Sequence, residues 1–408
     1  MSTSSNVLLY AARGVRGFGD GFATIILPAY LTAIGYDPVR IGIVLTASLL
    51  GTAVMTLAIG AIAPRHDLRT LMLSGAALMA LTGLAFPSFQ DIAFVAFVAF
   101  VGTINPSTGD LGVLVPLEHA MLARGVSDEM RTHAFARYSL IGALSMAAGS
   151  LAAAAPDFIV QAGFDRLGAF KMMFYIYALL GFCCAVLYRA LPRTRAAKDA
   201  PHAPLGPSRG VVYKLAALFS LDAFAGGFVV QSLMALWLFQ RFDMSVAGAS
   251  VFFFWATTLS AFSYPVAARL ARHFGLVNTM VFTHIPSSLF LILAAFSSNL
   301  YLTLALLLMR AALSQMDVPT RTSYVMAVVT PAERPAAAGI TAVPRSLASA
   351  ISPAFAGVLL AGPLSALPLV ICGVLKIAYD LGLLYSFRHI KPPEENRKSS
   401  SSARTSGR

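Results

Sequence analysis

Residues 310–321 read Arg310-Ala-Ala-Leu-Ser-Gln-Met-Asp317-Val-Pro-Thr-Arg321, and they sit where a membrane span should be. An apolar run, Leu300 to Met309, leads into them, and Thr322 to Val329 behind them is mostly apolar again. At 100° per residue, positions 310, 314, 317 and 321 fall on one helical stripe. Lipid cannot solvate the Arg310, Asp317 and Arg321 charges, so that stripe must face protein or water. The chain is therefore expected to enclose a polar cavity inside a membrane, with the remaining helices as its walls.

Composition agrees. Of 408 residues, 57% are hydrophobic and 12% are charged, whereas soluble domains carry about 25% charged residues. Apolar runs recur along the whole length, which predicts an all-α polytopic membrane protein in a lipid bilayer. The net charge of +12 does not point to nucleic acid, because the basic residues gather in short loops, a central linker and the C-terminal tail. The first ten residues are too short and too polar for a cleavable signal peptide.

Twelve spans are predicted: 12–34, 39–63, 70–88, 91–121, 133–154 and 168–190, then 211–238, 246–270, 277–297, 299–328, 337–361 and 364–387. These give an N-terminal six-helix bundle (1–190), a basic cytoplasmic linker (191–210), a C-terminal six-helix bundle (211–390) and a disordered cytoplasmic tail (391–408). The outer loops hold Arg40, Arg166, Lys171 and Arg241, while the inner loops, linker and tail hold several times as many basic residues. Both termini are therefore expected in the cytoplasm.

The halves repeat each other. Gly21-Phe22 matches Gly227-Phe228 at a spacing of 206, and Tyr36-Asp37 matches Phe242-Asp243. Gly42 matches Gly248, Arg65-His66 matches Arg272-His273, and Ser139-Leu140 matches Ser346-Leu347. Equal orientation of the halves makes these parallel repeats, related by an axis along the membrane normal.

Two pseudo-symmetric bundles with a basic central linker resemble the major facilitator superfamily over nearly the whole chain. The loop after span 2 reads Gly60-Ala-Ile-Ala-Pro64-Arg65-His66-Asp67-Leu68-Arg69. Gly60, Arg65 and Arg69 match the family's loop signature; Pro64 and Asp67 replace its aspartate and second glycine. The resemblance implies that spans 1, 4, 7 and 10 line a central cavity. Those spans carry Asp20, Asp110, Asp222 and Asp317, with Arg13, Arg16, Arg310 and Arg321.

A carboxylate in low dielectric holds its proton more tightly, and a nearby guanidinium reverses that. A pair whose separation changes between two states of a carrier therefore takes up and releases a proton. Asp20, Asp222 and Asp317 are the proton-coupling candidates; Arg16, Asp110, Arg310 and Arg321 are the substrate and cavity candidates. Arg16 stands one turn from Asp20, a spacing suited to a salt bridge, as do Lys376 and Asp380 on span 12, there read as structural. Pro28, Pro106, Pro265, Pro319, Pro344 and Pro353 lie within spans and can kink them. Gly142 and Gly149 suit tight helix packing.

Cys183, Cys184 and Cys372 lie in apolar runs, without disulfide or zinc spacing, and the histidines have no ligand spacing. No metal, no cofactor and no enzymatic constellation is expected. The function these features predict is a monomeric secondary transporter working by alternating access in a bacterial inner membrane. Its expected activity is proton-coupled efflux of a small toxic solute, drug-like or a metalloid such as arsenite or antimonite. Met316 to Arg321 looks like the corresponding segment of bacterial superfamily members, some of them associated with metalloid resistance. The alternative is an importer of a small organic anion held by Arg16, Arg310 and Arg321.

Overall fold

A computed structural model describes residues 3–107, 112–124, 126, 128–193, 206–330 and 333–387. Among them the first half forms α1 (Thr3–Ala33), α2 (Pro38–Ile62), α3 (Leu68–Ala85), α4 (Ile92–Val101), α5 (Val115–Arg124), α6 (Asp128–Ala152), a short α7 (Ala155–Gln161) and α8 (Arg166–Arg189). The second half forms α9 (Arg209–Gly227), α10 (Gln231–Phe242), α11 (Val246–Phe274), α12 (Leu276–Phe296), α13 (Leu300–Ser314), α14 (Asp317–Val328), α15 (Arg334–Ala361) and α16 (Leu367–Phe387). Taking α4/α5, α9/α10 and α13/α14 as one span each, and α7 as an appendage of α6, these make the twelve spans of the predicted fold. Most of the linker, Asp110 and the tail lie outside the described residues.

Nine helical segments among the described residues are long and apolar enough to cross a membrane. The three spans outside that set are α1, α4/α5 and α13/α14. Two of these, α1 and α13/α14, carry Arg13, Arg16 and Asp20 or Arg310, Asp317 and Arg321.

Helix starts follow from short acceptor side chains that satisfy the first free amides. Asp37 accepts from Arg40 N at 2.8 Å, Asp67 from Thr70 N at 3.2 Å, Asp91 from Ala93 N at 2.9 Å and Asp165 from Gly168 N at 2.8 Å. Asp67, the residue standing in place of the family glycine, is thus the cap of α3. Its repeat-matched neighbours diverge elsewhere: Asp37 starts α2, whereas Asp243 ends α10 in a left-handed conformation (φ 49°).

Spans 4, 7 and 10 are interrupted rather than continuous. In span 4, Gly102 ends α4 and Pro106 offers no backbone donor. The freed backbone groups find neighbours instead. Thr103 N donates to Thr82 Oγ1 at 3.3 Å, Ser107 N to Asn105 Oδ1 at 2.9 Å, Ser232 N to the Pro106 carbonyl at 3.2 Å, and Ser48 Oγ to the Ile104 carbonyl. In span 10 the break falls at Gln315–Met316, so Pro319 occupies the first turn of α14, where its missing donor costs nothing. Pro28 and Pro265 remain inside continuous helices.

Two compact units emerge: Met1–Asp199 with Gly227–Thr258 and Ala350–Pro368, and Ala200–Gly226 with Leu259–Ser349 and Leu369–Arg408. In the first, α1 packs on α6 and α8, α3 on α8, and α2 on α4. The α1–α6 crossing is backbone to backbone. A Cβ on Gly149 would lie 2.0 Å from the Phe18 carbonyl, and one on Gly21 would lie 2.1 Å from that of Met146. In the same unit Ser232 Oγ donates to the Thr24 carbonyl at 2.7 Å, and Ala247 N to Asp157 at 2.8 Å. In the second unit α12 packs on α13 and α14.

Gly206 and Ser208 are fastened within the second unit by Glu333. Its carboxylate accepts from Thr330 Oγ1 at 2.6 Å, Ser208 Oγ at 2.7 Å and Gly206 N at 2.6 Å. These donors, Thr330 first, hold its carboxyl down at about 2. A lowered folded-state value means the contribution is present above the ordinary glutamate range and is lost as pH falls through the folded value.

Two outcomes follow. Gly149→Leu should abolish a monodisperse, folded species in detergent chromatography, while Gly210→Ala, with open space around it, should leave the profile unchanged. Amide exchange at Gly206 and Ser208, corrected for intrinsic rate, should show full protection at about pH 5 that decays toward about pH 2; Glu333→Gln should weaken it throughout.

Candidate functional site

In the first unit the charged centre is Arg16 with Glu118. Arg16 is 5% exposed and Glu118 0%. Arg16 NH2 bonds Glu118 Oε2 and lies 3.0 Å from the Tyr138 hydroxyl, which also donates to Glu118 Oε2. Tyr188 OH donates to Glu118 Oε1 at 2.5 Å. The carboxylate thus ties α1, α5, α6 and α8 together. Arg13 stacks over the Tyr138 ring at 5.3 Å.

Asp20 is half-buried. The spacing suggested Arg16 as its partner, but Glu118 engages that guanidinium, and Asp20 receives the Tyr177 hydroxyl at 3.4 Å. Tyr177 in turn meets Thr103 Oγ1 at 3.0 Å, in the break of span 4. Asp20, held by a hydroxyl rather than by a cation, is thus linked through Tyr177 to the break of span 4.

The second unit holds a larger network. Asp222, on α9, is 4% exposed. Its Oδ2 accepts from Arg321 NH1 at 2.9 Å and its Oδ1 from Lys376 Nζ at 2.6 Å. Arg321 NH2 lies 2.7 Å from Asp317 Oδ2, one turn back on α14. Arg321 also covers the Phe219 ring at 5.4 Å. The structure thus brings Asp222, Asp317 and Arg321 together, and places Arg16 and Asp20 in the other unit. Arg310 makes no ion pair among the described residues; its carbonyl accepts from Ser287 Oγ at 3.3 Å. In the loop signature, Gly60 lies near the end of α2, Arg65 is exposed in a 3-10 turn, and Arg69 sits in the first turn of α3.

One expected pair does not form. Lys376 and Asp380 are spaced for a bridge along α16, yet Lys376 reaches across to Asp222, and Asp380 is taken by His284 of α12. His284 Nδ1 lies 3.0 and 3.1 Å from the two Asp380 oxygens, and its Nε2 lies 3.3 Å from Lys376 Nζ. His284, Lys376 and Asp380 are the polar residues that sequence reasoning set aside. Their signal was present: a lysine in the middle of an apolar span is costly enough to require a partner.

The repeat spacing of 206 pairs Arg16 with Asp222. Equivalent positions of spans 1 and 7 therefore carry opposite charges, each held by an ion of the other sign from a later span of its own half: Glu118 in one, Arg321 and Lys376 in the other.

Removing one member of a buried pair leaves an unpaired charge, at about 3–5 kcal/mol. Glu118→Gln should accordingly lower the unfolding temperature of the purified protein sharply, and Asp20→Asn should change it little. The double variant Arg16→Met with Glu118→Leu should recover most of the loss; equal melting of both single variants would contradict this ranking.

The description "Major Facilitator Superfamily" belongs to the family model that matches residues 9–256 and 216–407. The uncharacterized membrane protein YJR124C of Saccharomyces cerevisiae (strain ATCC 204508 / S288c) is 25% identical over 418 residues, covering 93% of each chain. Among solved structures, the nucleoside transporter NupG superposes with a TM-score of 0.72 at 14% identity, covering 94% of this chain and 99% of that one. A bacterial homologue of the iron transporter ferroportin, in its inward-facing state, gives 0.70 at 14% identity over 94% and 99%. At such identities these superpositions show the fold. The chain belongs to the Major Facilitator Superfamily and is a membrane transporter of some solute rather than an enzyme.

Proposed function

We propose that this transporter is a proton-coupled exporter of small toxic solutes, drug-like or metalloid, working by alternating access as a monomer in a bacterial inner membrane with both termini in the cytoplasm. The observation that carries it is the contrast between its membrane carboxylates. Asp222 is clasped by Arg321 and Lys376, whereas half-buried Asp20 is met by a tyrosine hydroxyl at 3.4 Å. A carboxylate held by a neutral donor can gain a proton without stranding a buried cation, which is what a coupling group requires. Asp222 and Asp317 can contribute when Arg321 is drawn away. The sparse charge of the remaining spans favours broad efflux over a nutrient-specific site.

A second reading rests on Arg310. A half-buried guanidinium with no ion pair among the described residues suits a small organic anion, as in an importer. Arg321, engaged by carboxylates of its own unit, would add to that site only on changing partners.

Cells with and without the protein, exposed to a panel of toxic compounds including arsenite and antimonite, separate the two readings. Export predicts protection, and energised inverted vesicles should accumulate the active compound in a manner abolished by a proton uncoupler and by Asp20→Asn. Unchanged transport in Asp20→Asn would remove Asp20 from coupling. Sensitisation, or growth on a single anion lost through Arg310→Gln, would favour import.

A further inference from the structure

We propose that His284, Lys376 and Asp222 form a proton-exchange switch, in which a proton arriving on His284 displaces the Lys376 ammonium from Asp222. The proposal rests on the transport reading and assigns it a proton site outside the carboxylates considered so far.

The hydrogen bonds fix the resting state. Lys376 Nζ lies 2.6 Å from Asp222 Oδ1, a contact of charge-assisted length that suits an ammonium. The same Nζ lies 3.3 Å from His284 Nε2. An ammonium only donates, so Nε2 must present its lone pair. The imidazole hydrogen is then on Nδ1, where both oxygens of Asp380 accept it at 3.0 and 3.1 Å. His284 is neutral in this arrangement, and its tautomer is set from both sides.

Only Nε2 can take a further proton. Once protonated it becomes a donor facing a donor, with two positive charges 3.3 Å apart, and Lys376 must withdraw. The new Nε2–H has an acceptor at hand, because Asp222 Oδ1 lies 3.9 Å away. One proton is added to Nε2, no other covalent bond changes, and Asp222 exchanges an ammonium for an imidazolium while keeping Arg321 on its other oxygen at 2.9 Å.

From α13 comes Arg310, whose carbonyl accepts at 3.3 Å from the Oγ of Ser287, one turn after His284. From α14 come Arg321 and Asp317, paired at 2.7 Å. From α15 comes Arg345, which acts on Arg321 and Asp222. From α16 come Asp380, Tyr379, whose ring meets the imidazole edge-on at 6.0 Å, and Cys372, one turn before Lys376. His284 is 2% exposed and Asp380 0%, but the Lys376 side chain is 13% exposed and is the member with somewhere to go. Once released, Lys376 is a mobile cation with three donors, available to an electron-rich group of the solute.

The test reads protons rather than transport. The full chain, labelled with 15N-histidine and held in lipid nanodiscs, contains seven histidines, and His284→Gln assigns the resonance by subtraction. At about pH 8 the native protein should show the neutral Nδ1–H tautomer at His284. At about pH 6.5, Lys376→Gln should raise the imidazolium signal about threefold, because the competing ammonium is gone, whereas Lys376→Arg, which keeps a cationic donor, should resemble the native protein. A Nε2–H tautomer, or equal imidazolium signal in the Gln and native forms, would overturn the switch. Either result leaves the transport reading intact; vesicles lacking proton dependence would defeat that reading while leaving the histidine result standing.

Discussion

A full charge at the centre of a bilayer costs at least about 2.5–3.5 kcal/mol on insertion scales, and more when nothing shares it. This chain carries such charges in several spans, and its two polar centres are arranged around meeting that cost. Glu118 takes Arg16 and the Tyr138 hydroxyl on one oxygen and the Tyr188 hydroxyl on the other. Asp222 is met on one oxygen by Arg321 and on the other by Lys376. Full pairing with hydrogen-bonded lone pairs is the condition under which a buried ion pair is tolerated. Pairing also explains which helices touch: the carboxylate of Glu118 joins four of them, so the charges dictate local packing as much as the glycines do.

The helix count and the parallel halves were legible because each rests on a local signal: length of apolar run and repeat spacing. The membership of Asp222, Asp317 and Arg321 in one cluster was partly legible from the stripe on span 10. Their partners were not. Lys376 to Asp222 joins residues 154 positions apart, and Arg16 to Glu118 joins residues 102 apart. Helical spacing ranks only neighbours on one helix, so it offered Asp20 to Arg16 and Asp380 to Lys376. In both cases a residue from another helix won, because a partner already fixed by tertiary packing loses less side-chain entropy on pairing than two freely rotating neighbours do.

The interruptions of spans 4, 7 and 10 were also hidden. Proline in a span signals a bend without saying whether the helix stops; Pro28 and Pro265 ride inside unbroken helices, while Pro106 lies in a true gap. What separates them is the supply of outside partners. The gap in span 4 persists because Thr82, Ser48 and Ser232 reach in to satisfy its backbone. Without such donors and acceptors the backbone would return to the helix, the only conformation that satisfies itself in lipid. The broken segment is thus a consequence of polar residues on neighbouring helices, and it places Thr103 where it can hold Tyr177 against Asp20.

The opposite signs at Arg16 and Asp222 bear on how one duplicated scaffold can hold two different centres. Had both positions kept the same charge, each half would need the same counter-ion from its later spans, and the halves would respond alike to a proton. With the signs inverted, the first centre places a guanidinium on its first span, which holds its charge at any physiological pH. The second places a carboxylate there, with the His284 imidazole 3.9 Å away. Under the switch proposed above, inversion separates a fixed centre from a switchable one within the same fold. A protein in which every buried charge could titrate would lose the pairing that keeps it folded whenever a proton arrived.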